Sequence, residues 1–159
     1  MESNFYTVRG YQLLEQHKDA LTPSLEDYLE MICRTVFDQG YIRVSDLARE
    51  LNVRPSSASK MVGRLAELEL VNYEKYGVIQ LTLRGEEIGK YLLWRHDIVS
   101  GFFALISKNS QEGSFAEAEL CEHILSEETV KSLETLILFF LQREEILQDF
   151  QKMLEIQHN

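Results

Sequence analysis

Acidic and imidazole side chains recur in this sequence at spacings that place them on common helical faces. Asp27 and Glu30 are three residues apart, so at about 100° per residue they share one face of a helix. Glu119, Glu122 and His123 stand at positions i, i+3 and i+4, which is also one face. Carboxylate oxygens and imidazole nitrogens are common ligands of divalent cations. The pattern therefore makes these residues candidates for a metal site.

His96 is a further candidate, since it lies between Leu92 and Val99 on an otherwise apolar helical stripe. Each residue also has a simpler interpretation. Asp27 can complete a capping box with Ser24, a lone buried histidine can be a hydrogen-bonded core residue, and the glutamates can be ordinary exposed acids. If four carboxylates and two imidazoles converge, however, they need a cation. Oxygen-rich ligation without thiolate favours Mn²⁺ or Fe²⁺ over structural zinc.

A second group of residues has the composition of a DNA-reading helix. Between residues 53 and 66 there are three basic side chains and no acidic one, whereas the whole chain has a net charge of −10. Small hydroxyls at a helix start allow close approach to a groove, and basic side chains one turn apart reach phosphate or guanine. The residues expected to contact DNA are Arg54, Ser56, Ser57, Ser59, Lys60 and Arg64, with Lys75 on the wing. The simpler interpretation is a helical hairpin with a solvated polar face.

The periodicity predicts the elements that position these groups. A helix over residues 24–38 starts near Pro23 and is capped by Ser24, and Gly40 ends it. A short helix capped by Ser45, a tight turn and a helix from about Pro55 form a helix-turn-helix. Two strands within residues 70–83 form its wing. The remaining predictions are a helix over 85–107, a loop over 108–114, and helices over 115–125, 127–141 and 144–156, the last two separate or continuous.

The bulk properties are those of a soluble globular protein. The longest apolar run is too short to cross a bilayer, and the N-terminus lacks the pattern of a signal peptide, so we expect a cytoplasmic protein. Cys33 and Cys121 have no metal-binding spacing and are expected to be small packed side chains. No motif indicates an organic cofactor.

At these residues the sequence resembles the diphtheria toxin repressor family, in its manganese transport regulator branch. The resemblance runs from about Leu21 to Phe140. Its pieces are TPSLEDYLE (22–30), RVSDLARELNVRPSSASKMVGRL (43–65), YEKYGVIQLTLRGEEIGK (73–90), the Arg95-His96 pair and AELCEHILSEET (118–129).

The resemblance implies that Asp27, Glu30, His96, Glu119, Glu122 and His123 are all metal ligands. Iron-responsive relatives have Met at the position of Asp27 and Cys at that of Glu119, so oxygen ligands at both places imply Mn²⁺. The implied site is binuclear and bridged by carboxylates such as Glu30 and Glu122. Fe²⁺, Zn²⁺ or Cd²⁺ are its expected substitutes.

The implied protein is mainly α-helical and is a homodimeric repressor, not an enzyme. Residues 1–21 form an N-terminal extension of unassigned role, residues 22–84 a winged helix-turn-helix, and residues 85–159 a helical metal-binding and dimerisation domain. The implied partner is double-stranded DNA with a palindromic operator, controlling manganese uptake genes. Metal linking the first helix of the DNA-binding domain to the dimerisation half would set the spacing of the two recognition helices.

Three other functions compete with this one. The same architecture can sense Fe²⁺ or Zn²⁺, and a winged-helix repressor can respond to a small molecule with its acids purely structural. A di-metal carboxylate enzyme in a helical bundle uses two Glu-x-x-His pairs. The order Glu119, Glu122, His123 does not match that spacing and has no second copy.

Overall fold

The computed structural model describes residues 3–16, 20–73, 77–106 and 111–157, so Lys75 lies outside the described residues. The chain divides into two compact units, Met1–Trp94 and Arg95–Asn159. The helices are α1 (Ser3–Gln16), α2 (Pro23–Gln39), α3 (Val44–Glu50), α4 (Pro55–Glu67), α5 (Leu83–Ile106), α6 (Gln111–Cys121), α7 (Glu127–Leu141) and α8 (Glu144–Gln157). The strands are β1 (Ile42–Arg43), β2 (Val71–Tyr73) and β3 (Val78–Leu81). None of the described helices is long and apolar enough to cross a membrane.

The predicted helix-turn-helix and wing are present in the N-terminal unit. Asn52 adopts a left-handed conformation (φ 52°) in the turn between α3 and α4. The three strands form an antiparallel sheet in the order β1-β3-β2, with Ile42 opposite Ile79 and Val71 opposite Leu81. The predicted mainly α-helical fold with a small β-wing is confirmed. The predicted domain boundary between residues 84 and 85 stays a prediction.

Two predicted helix caps in this unit are wrong. The cap of α2 is Thr22 rather than Ser24, because Pro23 is the first helical residue. The cap of α3 is Arg43 rather than Ser45, because the helix continues directly from β1. The predicted end of α2 is confirmed: Gly40 has φ 81°, and its amide donates to the carbonyl of Val36 at 2.7 Å.

One apolar core joins the helices of this unit to its sheet. It includes the fully buried Leu29 and Ile32 of α2, Leu47 of α3, and Val62 and Leu65 of α4. The first turns of α5 pack on the same core through the buried Ile88 and Leu92. Burial of these side chains is the main force that fixes α2 and α4, the two helices that carry predicted site residues.

Helix α1 lies in the N-terminal extension. Residues 1–21 have no clear period, and the sequence predicts a helix only in part of the stretch 11–20. Leu14 is buried in the common core, and the ring centroids of Tyr11 and Tyr91 are 5.6 Å apart. Arg9 pairs with Glu87 on α5 at 2.9 Å. The extension is therefore packed against the start of α5.

The C-terminal unit differs from its predicted helix bounds. Helix α6 begins at Gln111, within the segment predicted as a loop, and ends at Cys121. Glu122–Ile124 is a turn of 3-10 helix, because Leu125 is already extended and Ser126 starts the next helix. The predicted cap Ser126 is confirmed, since its hydroxyl accepts from the amide of Thr129 at 3.2 Å. Helices α7 and α8 are separate.

We expect opposite effects on stability from alanine at two helical glycines. A methyl group at Gly85 would collide with the backbone carbonyl of Leu70, whereas one at Gly63 meets nothing within 4 Å. Gly85→Ala should lower the free energy of unfolding by about 2 kcal/mol. Gly63→Ala should raise it by about 0.5–1 kcal/mol, because glycine is a poor helix former. Urea unfolding followed by circular dichroism measures both, and equal effects would contradict the packing of α5 on the wing.

Candidate metal centre and DNA-reading helix

His96 is the centre of a polar cluster in the C-terminal unit. Its Nδ1 is 2.9 Å from Oε2 of Glu122 and 3.4 Å from Oε1 of Glu119. His96 and Glu122 are buried, whereas the side chain of Glu119 is 40% exposed. Because ionised carboxylates only accept hydrogen bonds, Nδ1 carries the hydrogen. In the neutral ring, the lone pair suited to a metal ion is then on Nε2.

The His96 ring is also held on its apolar side. The edge of Phe115, on α6, contacts it with centroids 4.8 Å apart and planes at 64°. Edge-to-face aromatic contacts at this distance are favourable. Sequence reasoning did not identify Phe115, because its contact depends on how α6 packs against α5.

Glu122 is fully buried, and its two carboxylate oxygens have different surroundings. Oε2 faces His96, but Oε1 has no hydrogen-bond partner among the described residues. The nearest described cation is Nη2 of Arg95, at 3.9 Å. A buried carboxylate oxygen without a donor is costly. A divalent cation at this oxygen would remove that cost, so the residues present fit a metal.

Arg95 is the residue in this cluster that the sequence did not single out as functional. It is buried, and its Nη2 is 3.2 Å from Nδ1 of His123. The sequence predicted that Glu119, Glu122 and His123 lie on one face of an α-helix. This prediction is wrong, because Glu122 and His123 lie in the 3-10 turn. The turn nevertheless keeps both near α5, where Arg95 and His96 are consecutive.

Asp27 and Glu30 belong to the N-terminal unit and lie on α2 as predicted. Glu30 is 8% exposed, and Asp27 is half-buried. One oxygen of Glu30 accepts from Nη2 of Arg34 at 2.9 Å, one helical turn away. Glu30 is therefore a buried carboxylate paired with a cation of its own helix.

The face of α4 predicted to read DNA has the expected polarity. Ala58, Val62 and Leu65 are fully buried. The exposed predicted contact residues are Arg54, Ser56, Ser57, Lys60 and Arg64. This half of α4 is therefore free of core side chains and available to a groove of DNA.

Two of the predicted DNA-contacting side chains have partners within the protein. The hydroxyl of Ser59, which is half-buried, lies 3.2 Å from the Tyr73 hydroxyl on β2. Arg64 pairs with Glu67 at 3.1 Å. Ser59 and Tyr73 also line a cavity of about 480 Å³, with Arg43, Ser45 and Ser56 on its other sides. Tyr73 was not predicted, because its contact with α4 depends on the fold of the wing.

Comparison with known families gives the same two parts. The family described as "Iron dependent repressor, N-terminal DNA binding domain" matches residues 20–79. The family described as "Iron dependent repressor, metal binding and dimerisation domain" matches residues 82–151. The chain belongs to the iron-dependent repressor family, which is the diphtheria toxin repressor family. It is thus a metal-dependent transcriptional repressor and not an enzyme, and the predicted resemblance is confirmed.

Individual proteins similar to this repressor include named regulators. The HTH-type transcriptional regulator MntR of Geobacillus kaustophilus (strain HTA426) is 41% identical over 134 residues, covering 82% of this chain and 94% of the relative. MntR of Geobacillus thermodenitrificans (strain NG80-2) is 40% identical with the same coverage. Among solved structures, the manganese regulator SloR is 26% identical with a TM-score of 0.64, covering 73% of this chain and 54% of SloR. IdeR of T. acidophilum is 27% identical with a TM-score of 0.60. The alignment covers 68% of this chain and about half (51%) of the length of IdeR.

The two cysteines of the repressor are poorly suited to be metal ligands, since a metal-bound cysteine is a thiolate. Burial, followed by the nearby carboxylate of Glu86, raises the pKa of Cys33 to about 12. Burial and the adjacent Glu122 also raise the pKa of Cys121. Both side chains therefore remain protonated thiols at neutral pH. The predicted packing role is confirmed for the buried Cys33, whereas Cys121 is only partly buried.

We expect Cys33 to resist thiol reagents in the folded repressor. With a pKa of about 12, only about one molecule in ten thousand carries the thiolate at pH 8. Labelling of a Cys121→Ser variant with a chromogenic disulfide at pH 8 should proceed only after addition of urea. The Cys33→Ser variant serves as the control for Cys121. Rapid labelling of native Cys33 would contradict its buried position beside Gly89.

Proposed function

We propose that this repressor responds to Mn²⁺ and that its ligands are the six residues predicted from the sequence. The observation that carries the proposal is the buried Glu122 carboxylate. One of its oxygens accepts from Nδ1 of His96, which also lies 3.4 Å from Oε1 of Glu119, and its other oxygen has no hydrogen-bond donor among the described residues. Carboxylates and imidazoles without thiolate are the donor set that Mn²⁺ prefers over the softer ligands of zinc and copper sites.

The proposed ligands are Asp27 and Glu30 of α2 together with His96, Glu119, Glu122 and His123. Four carboxylates can neutralise two divalent cations, which supports a binuclear site. Fe²⁺, Zn²⁺ and Cd²⁺ are the proposed substitutes, because they accept the same donors. The names of the MntR relatives and of the manganese regulator SloR support Mn²⁺ as the metal sensed by this chain.

The proposed mechanism couples these ligands to the DNA-binding unit. Bound metal supplies positive charge that offsets the repulsion between the carboxylates. Asp27 and Glu30 are on the helix that packs beside α4 in the common core, so fixing their side chains restricts the helix-turn-helix. Because linkage is reciprocal, operator DNA must tighten metal binding by the factor by which metal tightens DNA binding.

The proposed operator is palindromic, because a two-fold dimer presents two recognition helices to half-sites about one DNA turn apart. Helices α7 and α8 offer a surface for that dimer. Their exposed large apolar side chains are Leu136, Leu138, Phe139, Leu141, Ile146, Met153 and Ile156. Exposed apolar side chains in this number are typical of an interaction surface. A cytoplasmic repressor of manganese uptake genes is the role that we propose.

We expect Glu122→Gln to abolish tight Mn²⁺ binding. The amide keeps the shape of the side chain but removes the charge that the metal needs. Titration followed by electron paramagnetic resonance should count nearly two tightly bound ions per wild-type chain and fewer than one in the variant. Glu117→Gln is the matched control, because Glu117 is an exposed glutamate near the end of α6 and is not a proposed ligand.

Several results would contradict the metal proposal. If the wild-type repressor bound no Mn²⁺ tightly but bound Fe²⁺ or Zn²⁺ in the same titration, the metal identity would be wrong and the site right. If it bound none of the three, its signal would be a different molecule and the ligand set would be wrong.

We expect Lys60→Ala to weaken DNA binding and to lower its salt dependence. Lys60 is exposed on α4, and each lost phosphate contact should reduce the slope of log affinity against log salt by about 1. The probe is a duplex selected from random sequences in the presence of Mn²⁺, and fluorescence anisotropy measures the binding. Lys131→Ala, on α7, is the control. An equal loss in both variants would show that α4 does not read DNA.

A further inference from the structure

Arg95 places a buried positive charge among the proposed metal ligands. Its side chain is 3% exposed, and its Nη2 lies 3.2 Å from Nδ1 of His123 and 3.9 Å from Oε1 of Glu122. A guanidinium is charged at any physiological pH, and burying it is costly unless anions or acceptors surround it. The site therefore already contains a cation before any metal enters.

The contact with His123 determines which nitrogen of that ring carries the hydrogen. A guanidinium has donors only, so Nδ1 of His123 must accept, and the hydrogen of the neutral ring is on Nε2. A neutral imidazole has one lone pair in the ring plane, and the same lone pair binds a metal ion. In this tautomer, Arg95 thus occupies the lone pair through which His123 would bind a metal ion.

Glu122 is in a similar position. Of its two oxygens, Oε2 accepts from His96, and Oε1, which has no hydrogen-bond partner among the described residues, lies nearest to Arg95. In the metal-free protein, Arg95 offsets the charge that would otherwise make this buried carboxylate unstable. A metal that binds Glu122 and His123 takes over both interactions.

We propose that Arg95 is an internal competitor of the metal, a positioning residue that holds Glu122 and His123 in the metal-free repressor and lowers its affinity for Mn²⁺. This inference rests on the proposed metal site. It deepens that proposal by naming a residue that adjusts the metal concentration at which the repressor responds. The competitor acts because it stabilises the metal-free state without being a ligand.

The first test compares Mn²⁺ affinity in Arg95→Met and wild type. This variant lacks the charge-assisted hydrogen bond between Arg95 and His123, which metal binding would have to break. Its affinity for Mn²⁺ should therefore be about tenfold higher. The control is Lys152→Met, which changes the net charge equally at an exposed residue paired with Asp149 on α8. Its affinity should be that of the wild type. Arg95→Lys keeps a cation in place, so its affinity should stay within about threefold of wild type.

The second test is thermal unfolding with and without metal. Arg95→Met should lower the midpoint clearly in the chelator EDTA and much less in saturating Mn²⁺, whereas a residue needed only for packing lowers both equally. Adding Glu122→Gln to Arg95→Met should restore the midpoint in EDTA, because it removes the buried charge that the loss of Arg95 leaves without a cation. This comparison needs no metal, so it separates a failure of this inference from a failure of the proposed function.

Two results together would overturn the inference. The Arg95→Met variant would bind Mn²⁺ no more tightly than wild type, and its unfolding midpoint would be lowered equally in EDTA and in Mn²⁺. Arg95 would then support the folded site in both states. If Arg95→Met does not fold in EDTA, refolding on addition of Mn²⁺ supports the competitor. Absence of rescue by Glu122→Gln in the double variant counts against it.

Discussion

The buried carboxylate of Glu122 is the constraint on which the metal-binding half depends. A fully buried carboxylate needs donors or cations on both oxygens, and here His96 serves one oxygen while Arg95 lies 3.9 Å from the other. The 3-10 turn that carries Glu122 and His123 gives both side chains partners on α5. The local departure from α-helix after Cys121 is therefore part of how the site is built.

Helix α5 supplies a second constraint because it carries residues of both compact units. Its first turns are fixed to the wing by Thr82, whose hydroxyl accepts from the amide of Gly85 and donates to the carbonyl of Glu69. Its later residues include Arg95 and His96. The same continuous helix thus belongs both to the core that contains the buried face of α4 and to the proposed metal site.

Local periodicity and side-chain chemistry were enough to predict the helix-turn-helix, the wing and the polar face of α4. They did not predict features that depend on packing between elements. The sequence of α1 has no clear apolar period. Its packing follows from a contact between elements, the close approach of Gly10 to Tyr91 on α5. In the sequence, Arg95 is only the neighbour of His96. Its proposed role depends on the 3-10 turn at Glu122, whereas the spacing of the side chains predicted that the α-helix continues through this residue.

The two histidines show why residue type alone does not describe the site. Carboxylates face Nδ1 of His96, so that nitrogen donates and the lone pair of the neutral ring is on Nε2. A guanidinium faces Nδ1 of His123, so that nitrogen accepts and its lone pair is already used. The two rings are chemically identical, but their neighbours place the lone pair on different nitrogens. In these tautomers, His123 would have to give up its hydrogen bond from Arg95 to hold a metal ion, whereas His96 would offer the lone pair on Nε2 while Nδ1 kept its hydrogen bond to Glu122.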